Sequence, residues 1–181
     1  MKIRIRPLTV VFLVILLLSN RDRGGLVPIA VLFLHEVGHL IAAPFCGVRV
    51  EEIELTLFGA EIRTQGIPPT LLQTLLLHAA GFLVNFLFAV IFWGKAPLFA
   101  ACSLAIGLLN ALPLPMLDGG HCLAALLSEI CPMKADRIIN VISAAFLVLL
   151  WLTAVFLLFF FGGNLSLLAF CFYLFFCLFL R

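Results

Sequence analysis

The sequence contains very little charge. Only 11% of its 181 residues are Asp, Glu, Lys or Arg, whereas 65% are hydrophobic, and the mean hydropathy is +1.27. Water-soluble domains of this size do not have such a composition. A net charge of +2 is also too small to favour nucleic acid as a partner. The shortage of polar residues excludes a sizeable soluble domain and predicts a protein embedded in the lipid bilayer.

The cysteines show no spacing typical of a metal site or a redox motif. There are six of them, none in a C-x-x-C pair, and each lies in or beside an apolar segment. We interpret them as small buried apolar residues rather than as disulfides or metal ligands.

Long apolar runs recur along the chain and predict an all-α polytopic membrane protein with about six transmembrane helices. The first run is not read as a signal peptide, because no small-residue cleavage site follows it. A short helical stretch over residues 122–130 and a polar connection over 132–137 precede the last two spans. We treat residues 1–181 as one domain, with a core at about 26–120 and C-terminal helices at about 138–180. The predicted spans are 8–19, 26–45, 70–93, 98–112, 138–161 and 165–180.

Between the second and third spans the pattern changes to alternation of apolar and polar residues, with one slip of register near Glu52. Alternation with period two is typical of a half-buried strand. Residues 47–66 therefore predict a short membrane-associated β-hairpin with a turn at residues 58–60, although an irregular amphipathic loop is an alternative.

The second span contains the motif His35-Glu36-Val37-Gly38-His39. Histidines four residues apart share one face of a helix, so both imidazoles can bind one metal ion, and Glu36 is placed to take a proton from the attacking water. This pattern is short and also occurs by chance. Its position in an apolar helix favours function, because ionisable groups inside a membrane are costly and usually functional.

Two histidines leave a catalytic zinc site short of one protein ligand. Asp118 is the natural candidate, since it is the only carboxylate between Glu61 and Glu129. It lies in a stretch, residues 110–121, that contains two prolines and two glycines and predicts a broken helix. Inside a membrane such a break is tolerated only where the backbone lines a cavity or is buried in protein. The alternative for Asp118 is an exposed Asp-Gly turn.

With these residues the sequence resembles the site-2 protease family of intramembrane metalloproteases over about residues 26–120. The resemblance is carried by the HExxH motif, by the stretch from Gly81 to Asn85, and by Asn110-x-x-Pro113-x-Pro115-x-Leu117-Asp118-Gly119-Gly120. The hairpin region is most similar to the stage IV sporulation factor B branch. Two departures are Phe82, where the family often has proline after the glycine, and the lack of residues for that branch's nucleotide-sensing module.

The resemblance implies a zinc metalloendopeptidase that cuts a membrane-embedded protein substrate in or near a transmembrane segment. It implies Zn²⁺ held by His35, His39 and Asp118, with Glu36 as the general base. Asn85 and Asn110 match polar positions near the family's site and are expected to contact the substrate carbonyl or its oxyanion. His78 and His121 are candidates for supporting roles. A sigma-factor precursor or a membrane-bound anti-sigma factor is the expected substrate, with a remnant signal peptide as the alternative. Inhibitory or activating membrane proteins are expected partners.

The basic residues predict the orientation of the chain. With the N-terminus inside, eight of the 11 lysines and arginines are cytoplasmic. Both termini are then cytoplasmic, and the HExxH motif lies within the membrane nearer the cytoplasmic face. The resemblance places the protein in a bacterial cell membrane. The rival interpretation is a non-catalytic zinc-binding membrane protein or a transporter, but no internal repeat typical of transporters is visible.

Overall fold

The structure is a computed structural model that describes residues 2–5, 26–56, 59–65, 69–161, 168, 171–172 and 174–176; the strands are described by their backbone. It has two compact units, Met1–Asn110 and Ala111–Arg181, which we describe separately. The predicted span at 8–19 and most of the one at 165–180 lie outside the described residues.

In its described residues the first unit has three helices, α1 (Leu26–Phe45), α2 (Leu71–Phe92) and α3 (Pro97–Asn110). Their bounds agree with the segments predicted at 26–45, 70–93 and 98–112 to within two residues at each end, and α1 and α2 are long enough to cross a membrane. A glycine lets α1 and α2 approach closely, because a Cβ at Gly38 would lie 2.8 Å from the Ala80 carbonyl oxygen and 3.0 Å from Val84 Cγ2. Small residues at such crossings are typical of membrane helices, which gain stability from close packing.

Helix α1 ends in a Schellman motif. Gly47 has a φ of +65°, its N–H donates to the Pro44 carbonyl at 3.1 Å, and the N–H of Val48 donates to the Ala43 carbonyl at 3.0 Å. Ala43, Cys46 and Leu77 form a buried cluster against which Val48 packs. The left-handed glycine thus satisfies the last carbonyls of α1 and turns the chain away from the helix axis.

The first unit also contains a three-stranded sheet. Two of its strands follow α1, and the third lies near the start of the chain. The strands are β1 (Lys2–Ile5), β2 (Arg49–Thr56) and β3 (Gly59–Gln65), in the order β1-β2-β3. The β2–β3 pair is antiparallel, with a register shift between Val50 and Glu52, in the region where the alternation predicts a hairpin. The predicted turn is wrong for residues 59 and 60, which belong to β3. The parallel pairing of β1 with β2 is not predicted by the sequence, because four residues carry too little alternation to identify a strand.

The second unit contains α4 (Asp118–Ile130), a 3₁₀ turn (Pro132–Lys134) and α5 (Ala135–Phe161). Two predictions need correction. Helix α4 begins at Asp118 and not at residue 122, and the polar connection at 132–137 is a 3₁₀ turn followed by the first residues of α5. Asp118 and Asp136 each lie in the first turn of a helix, where a carboxylate is stabilised by the positive end of the helix dipole.

The break before α4 is short, and part of it is buried. Ser143, which is fully buried, donates its hydroxyl to the Pro113 carbonyl at 2.9 Å, and Leu114 and Leu117 join Leu147 and Leu174 in one core cluster. A Cβ on Gly119 or Gly120 would collide with the backbone carbonyls of this break. The backbone groups released by the prolines are therefore packed against protein, as a break at membrane depth requires.

The distribution of polarity is that of a membrane protein. Large apolar side chains are exposed, for example Phe33, Phe45 and Phe159 at 67%, 87% and 80%, whereas His35 and Asn85 are buried. Among the described residues three helical stretches are long and apolar enough to cross a membrane, namely α1, α2 and Pro132–Phe160, and α3 is apolar but shorter. Four of the six predicted spans thus have a described helix, and three of these have the length of a full crossing.

Candidate metal centre

The two histidines of the HExxH motif lie side by side on the buried face of α1. His35 is 2% exposed and His39 is 6% exposed, and their Nε2 atoms are 3.2 Å apart. The rings meet edge to face, with centroids 4.8 Å apart. One turn of helix separates the two residues, so the spacing of the motif brings both nitrogens to the same point.

The distance between these nitrogens fits zinc. Zinc binds histidine nitrogen at about 2.0–2.1 Å, so two nitrogens 3.2 Å apart would subtend about 103° at the ion, close to the tetrahedral angle. The spacing of the two Nε2 atoms is therefore compatible with a tetrahedral zinc ion.

Helix α2 supports this pair with three residues spaced one turn apart. The carbonyl of Leu77 lies 2.8 Å from Nδ1 of His39, and the side chain of Asn85 lies 3.1 Å from Nδ1 of His35, while Gly81 lies between them on the same face. All three are buried. Each imidazole is thus held at Nδ1, which leaves the two Nε2 atoms directed at each other. Hydrogen bonds of this kind orient metal-binding histidines.

Gly81 leaves room for both imidazoles. A Cβ at this position would collide with Nε2 of His39 and would lie 2.6 Å from its Cε1 and 2.7 Å from Cε1 of His35. The sequence places Gly81 and Asn85 on one face of α2, and the structure shows that this face meets the histidine pair. The Leu77 carbonyl could not be found from sequence, because a backbone group leaves no signal in the side-chain pattern.

Glu36 follows His35 on α1. The residue is partly buried, and its Oε2 atom is closed off from solvent. The HExxH pattern predicts a general base at this position, and shielding from bulk water suits that chemistry.

The other predicted polar residues differ in their surroundings. His78 is partly buried, with its ring centroid 6.3 Å from that of His39, whereas His121 is exposed. Asn110, the last residue of α3, donates from Nδ2 to the Ile106 carbonyl at 3.0 Å. The structure thus brings His78 near the histidine pair, and it shows the Asn110 side chain bonded back to its own helix.

Asp118 is the first residue of α4 in the second unit, and it is partly buried. Burial, together with the negative charge of Asp118, raises the pKa of the Cys122 thiol one turn further along α4 to about 11. This thiol is therefore protonated near neutral pH, which argues against a reactive thiolate beside Asp118.

Comparisons with known proteins agree with this geometry. The family model described as Peptidase family M50 matches residues 26–96 and 95–150. The chain is similar to the solved structure of a site-2 protease from Methanocaldococcus jannaschii, with 26% identity and a TM-score of 0.65, covering 96% of this chain and 87% of that one. No match to a curated protein sequence was found. Neither likeness points to the sporulation-factor branch in particular.

Proposed function

Since the chain belongs to peptidase family M50, we propose that this intramembrane metalloprotease is a zinc endopeptidase that cuts a membrane protein in or near a transmembrane segment. The observation that carries the proposal is the pair of buried imidazole nitrogens 3.2 Å apart, each fixed at Nδ1 from α2. Nothing in a purely structural helix contact requires two histidines to be turned toward each other in this way.

We propose Asp118 as the third ligand. Two imidazoles and one carboxylate form a donor set that suits a metal ion and leaves the fourth zinc position open for chemistry. The match to the family model, which extends over residues 26–150, supports this assignment, because it includes the HExxH helix and the stretch around Asp118.

The residues divide the chemistry between them. Zinc in such a site supplies Lewis-acid activation of water and of the scissile carbonyl. Glu36 takes the proton of the attacking water and returns it to the leaving amine. The resemblance implies that Asn85 and Asn110 donate to the substrate carbonyl as negative charge develops on it.

A helical substrate must unwind before its carbonyls become accessible, because they are hydrogen-bonded within the helix. We propose that an unwound segment pairs with an outer strand of the β1-β2-β3 sheet. The expected substrate is a membrane-bound sigma-factor precursor or anti-sigma factor in a bacterial cell membrane. In the orientation that we propose, both termini of the protease are cytoplasmic and the active site lies nearer the cytoplasmic face. We also propose that other membrane proteins inhibit or activate the protease.

The test is cleavage of single-span substrates co-expressed with the wild-type protein or with Glu36→Gln. We expect Glu36→Gln to keep its zinc and to cut about 10²–10⁴ times more slowly, because the base is lost while the histidines remain. Zinc content of the purified proteins is measured in parallel.

Glu129→Gln is the matched control, since it makes the same chemical change at an exposed carboxylate on α4. Equal cleavage by wild type and Glu36→Gln, with zinc present in both, would contradict the mechanism. That result would favour a non-catalytic zinc-binding membrane protein or a transporter.

A further inference from the structure

Asn85 is one of the most deeply buried polar residues in the described part of the chain, at 1% exposed. It lies on α2 with its carboxamide against Nδ1 of His35. From α3, Gly107 packs onto it so closely that a Cβ there would lie 3.2 Å from Cβ of Asn85. The side chain is thus held between two helices with its amide directed at the histidine pair.

The Leu77 carbonyl determines the tautomer of His39. A carbonyl only accepts hydrogen bonds, so Nδ1 of His39 carries the proton and its Nε2 has the lone pair that a metal needs. At Nδ1 of His35 the partner is the side-chain amide of Asn85, at 3.1 Å.

A carboxamide has a donor end and an acceptor end of nearly the same shape. When Nδ2 of Asn85 faces His35, it donates to Nδ1 of His35. Nε2–H of His35 then donates to Nε2 of His39, and Nδ1–H of His39 donates to the Leu77 carbonyl. In this arrangement Oδ1 of Asn85 is buried without a hydrogen-bond partner. Ligation through Nε2 of His35 requires the opposite tautomer, with the proton on Nδ1 and an acceptor facing it. A half-turn of the amide supplies that acceptor from Oδ1.

We propose that Asn85 is a positioning residue for the metal centre, whose carboxamide oxygen accepts from Nδ1–H of His35 and holds that ring in the tautomer that binds metal through Nε2. This role rests on the proposed ligand function of His35. It differs from the role that the family resemblance implies for Asn85, which is donation to the substrate carbonyl. The two roles make opposite predictions, because one needs an acceptor and the other needs a donor.

The experiment measures zinc affinity by chelator competition on the full chain in detergent, together with the absorption spectrum of the Co²⁺-substituted protein and the kcat of cleavage. Asn85→Leu keeps the size of the side chain and removes both hydrogen-bonding ends. Asn85→Asp keeps an acceptor and removes the donor. Ser103→Ala is the matched control, since Ser103 is a fully buried polar residue of the same unit on α3.

We expect Asn85→Leu to weaken zinc binding about 10–100-fold, the usual effect of losing a hydrogen bond to a metal-binding histidine. Asn85→Asp should bind zinc no more than about threefold more weakly than wild type, because the imidazole of His35 still has its acceptor. Its tetrahedral Co²⁺ spectrum should be unchanged, and its kcat should stay within about tenfold of the wild-type value. Ser103→Ala should leave zinc affinity unchanged.

Several results would overturn the proposal. If Asn85→Leu binds zinc as wild type does, or if Asn85→Asp loses zinc, the acceptor role is wrong. If Asn85→Asp keeps zinc but loses kcat by about 10²–10³-fold, Asn85 acts as an oxyanion donor instead. Should Asn85→Leu fail to fold, Asn85→Asp alone decides between the roles. If wild type and His35→Ala both fail to bind zinc, the proposed metal centre itself fails.

Discussion

At the scale of single residues, the histidine pair depends on the absence of a side chain at Gly81 as well as on its hydrogen-bond partners. Both imidazoles lie over Gly81, where any side chain would occupy the space of His39. The ligands come from α1, but α2 determines their geometry through a carbonyl, an amide and a glycine spaced one turn apart. A metal site on a helix face thus requires a partner helix of matching shape.

We expect Gly81→Ala to abolish zinc binding and cleavage, because its Cβ would push His39 away from His35. Zinc content and cleavage rate are the measurements. Gly94→Ala is the control, since a Cβ at Gly94 meets no atom within 4 Å. A Gly81→Ala protein with full zinc content would show that the two helices can separate without cost, contrary to the close packing at Gly38.

At the scale of elements, local sequence signals specify where helices begin and end. Thr70 and Gln73 form a capping box at the start of α2: the Thr70 N–H donates to Gln73 Oε1 at 2.8 Å, and the Gln73 N–H donates to Thr70 Oγ1 at 3.4 Å. The Pro68-Pro69 pair in the sequence and this T-x-x-Q pattern give the helix a defined start. The residue at which α2 begins in turn determines where Leu77, Gly81 and Asn85 lie along the helix axis relative to His35 and His39.

Thr70→Ala should lower the free energy of unfolding by about 1 kcal/mol, because the Gln73 N–H in the first turn of α2 loses its acceptor, Thr70 Oγ1. Thr70→Ser should restore it, since serine keeps the hydroxyl. Unfolding in mixed micelles is the measurement. Thr153→Ala in the middle of α5, where the hydroxyl bonds within the helix, should change stability by less than about 0.5 kcal/mol. Equal effects at both positions would argue against a cap.

The sheet provides a second prediction at this scale. Along an outer strand, successive N–H groups point alternately toward the neighbouring strand and away from the sheet. We expect proline at outward-pointing positions of β3 to slow cleavage while the hairpin persists, because an added substrate strand loses a hydrogen bond. Proline at inward positions of β3 should disrupt the hairpin itself. Unchanged cleavage with every outward proline would exclude strand addition at β3.

At the scale of the whole molecule, the placement of the basic residues predicts a defined orientation in the bilayer. Lys95 follows α2 and Lys134 precedes α5, and we place them on opposite sides of the membrane. In a cysteine-free background, a cysteine at position 95 should react with an impermeant maleimide in intact cells. A cysteine at position 134 should react only after permeabilisation. Labelling of both positions in intact cells would reverse the assignment for position 134.

Much of this protein was predictable from sequence because the bilayer imposes simple rules on it. Apolar runs of about 20 residues predict helices, and α1 and α2 have the predicted bounds to within a residue. The spacing of His35 and His39 places both on one face whatever the partner helix is. Where the rules are weaker, the sequence predictions were wrong: α4 begins at Asp118, because the two glycines after it allow the first turn to pack on the preceding carbonyls.

The sequence by itself determined the apolar helices, the side-by-side histidines with their neighbouring glutamate, and the membrane setting, because each follows from helical periodicity and from the cost of burying polar groups in lipid. Only the tertiary structure decided that the Leu77 carbonyl and the Asn85 amide hold the imidazoles, that Gly81 makes room for them, and that β1 joins the sheet. These features depend on which surfaces of distant segments meet. Backbone groups and missing side chains that act at such contacts leave no periodic signal in the chain.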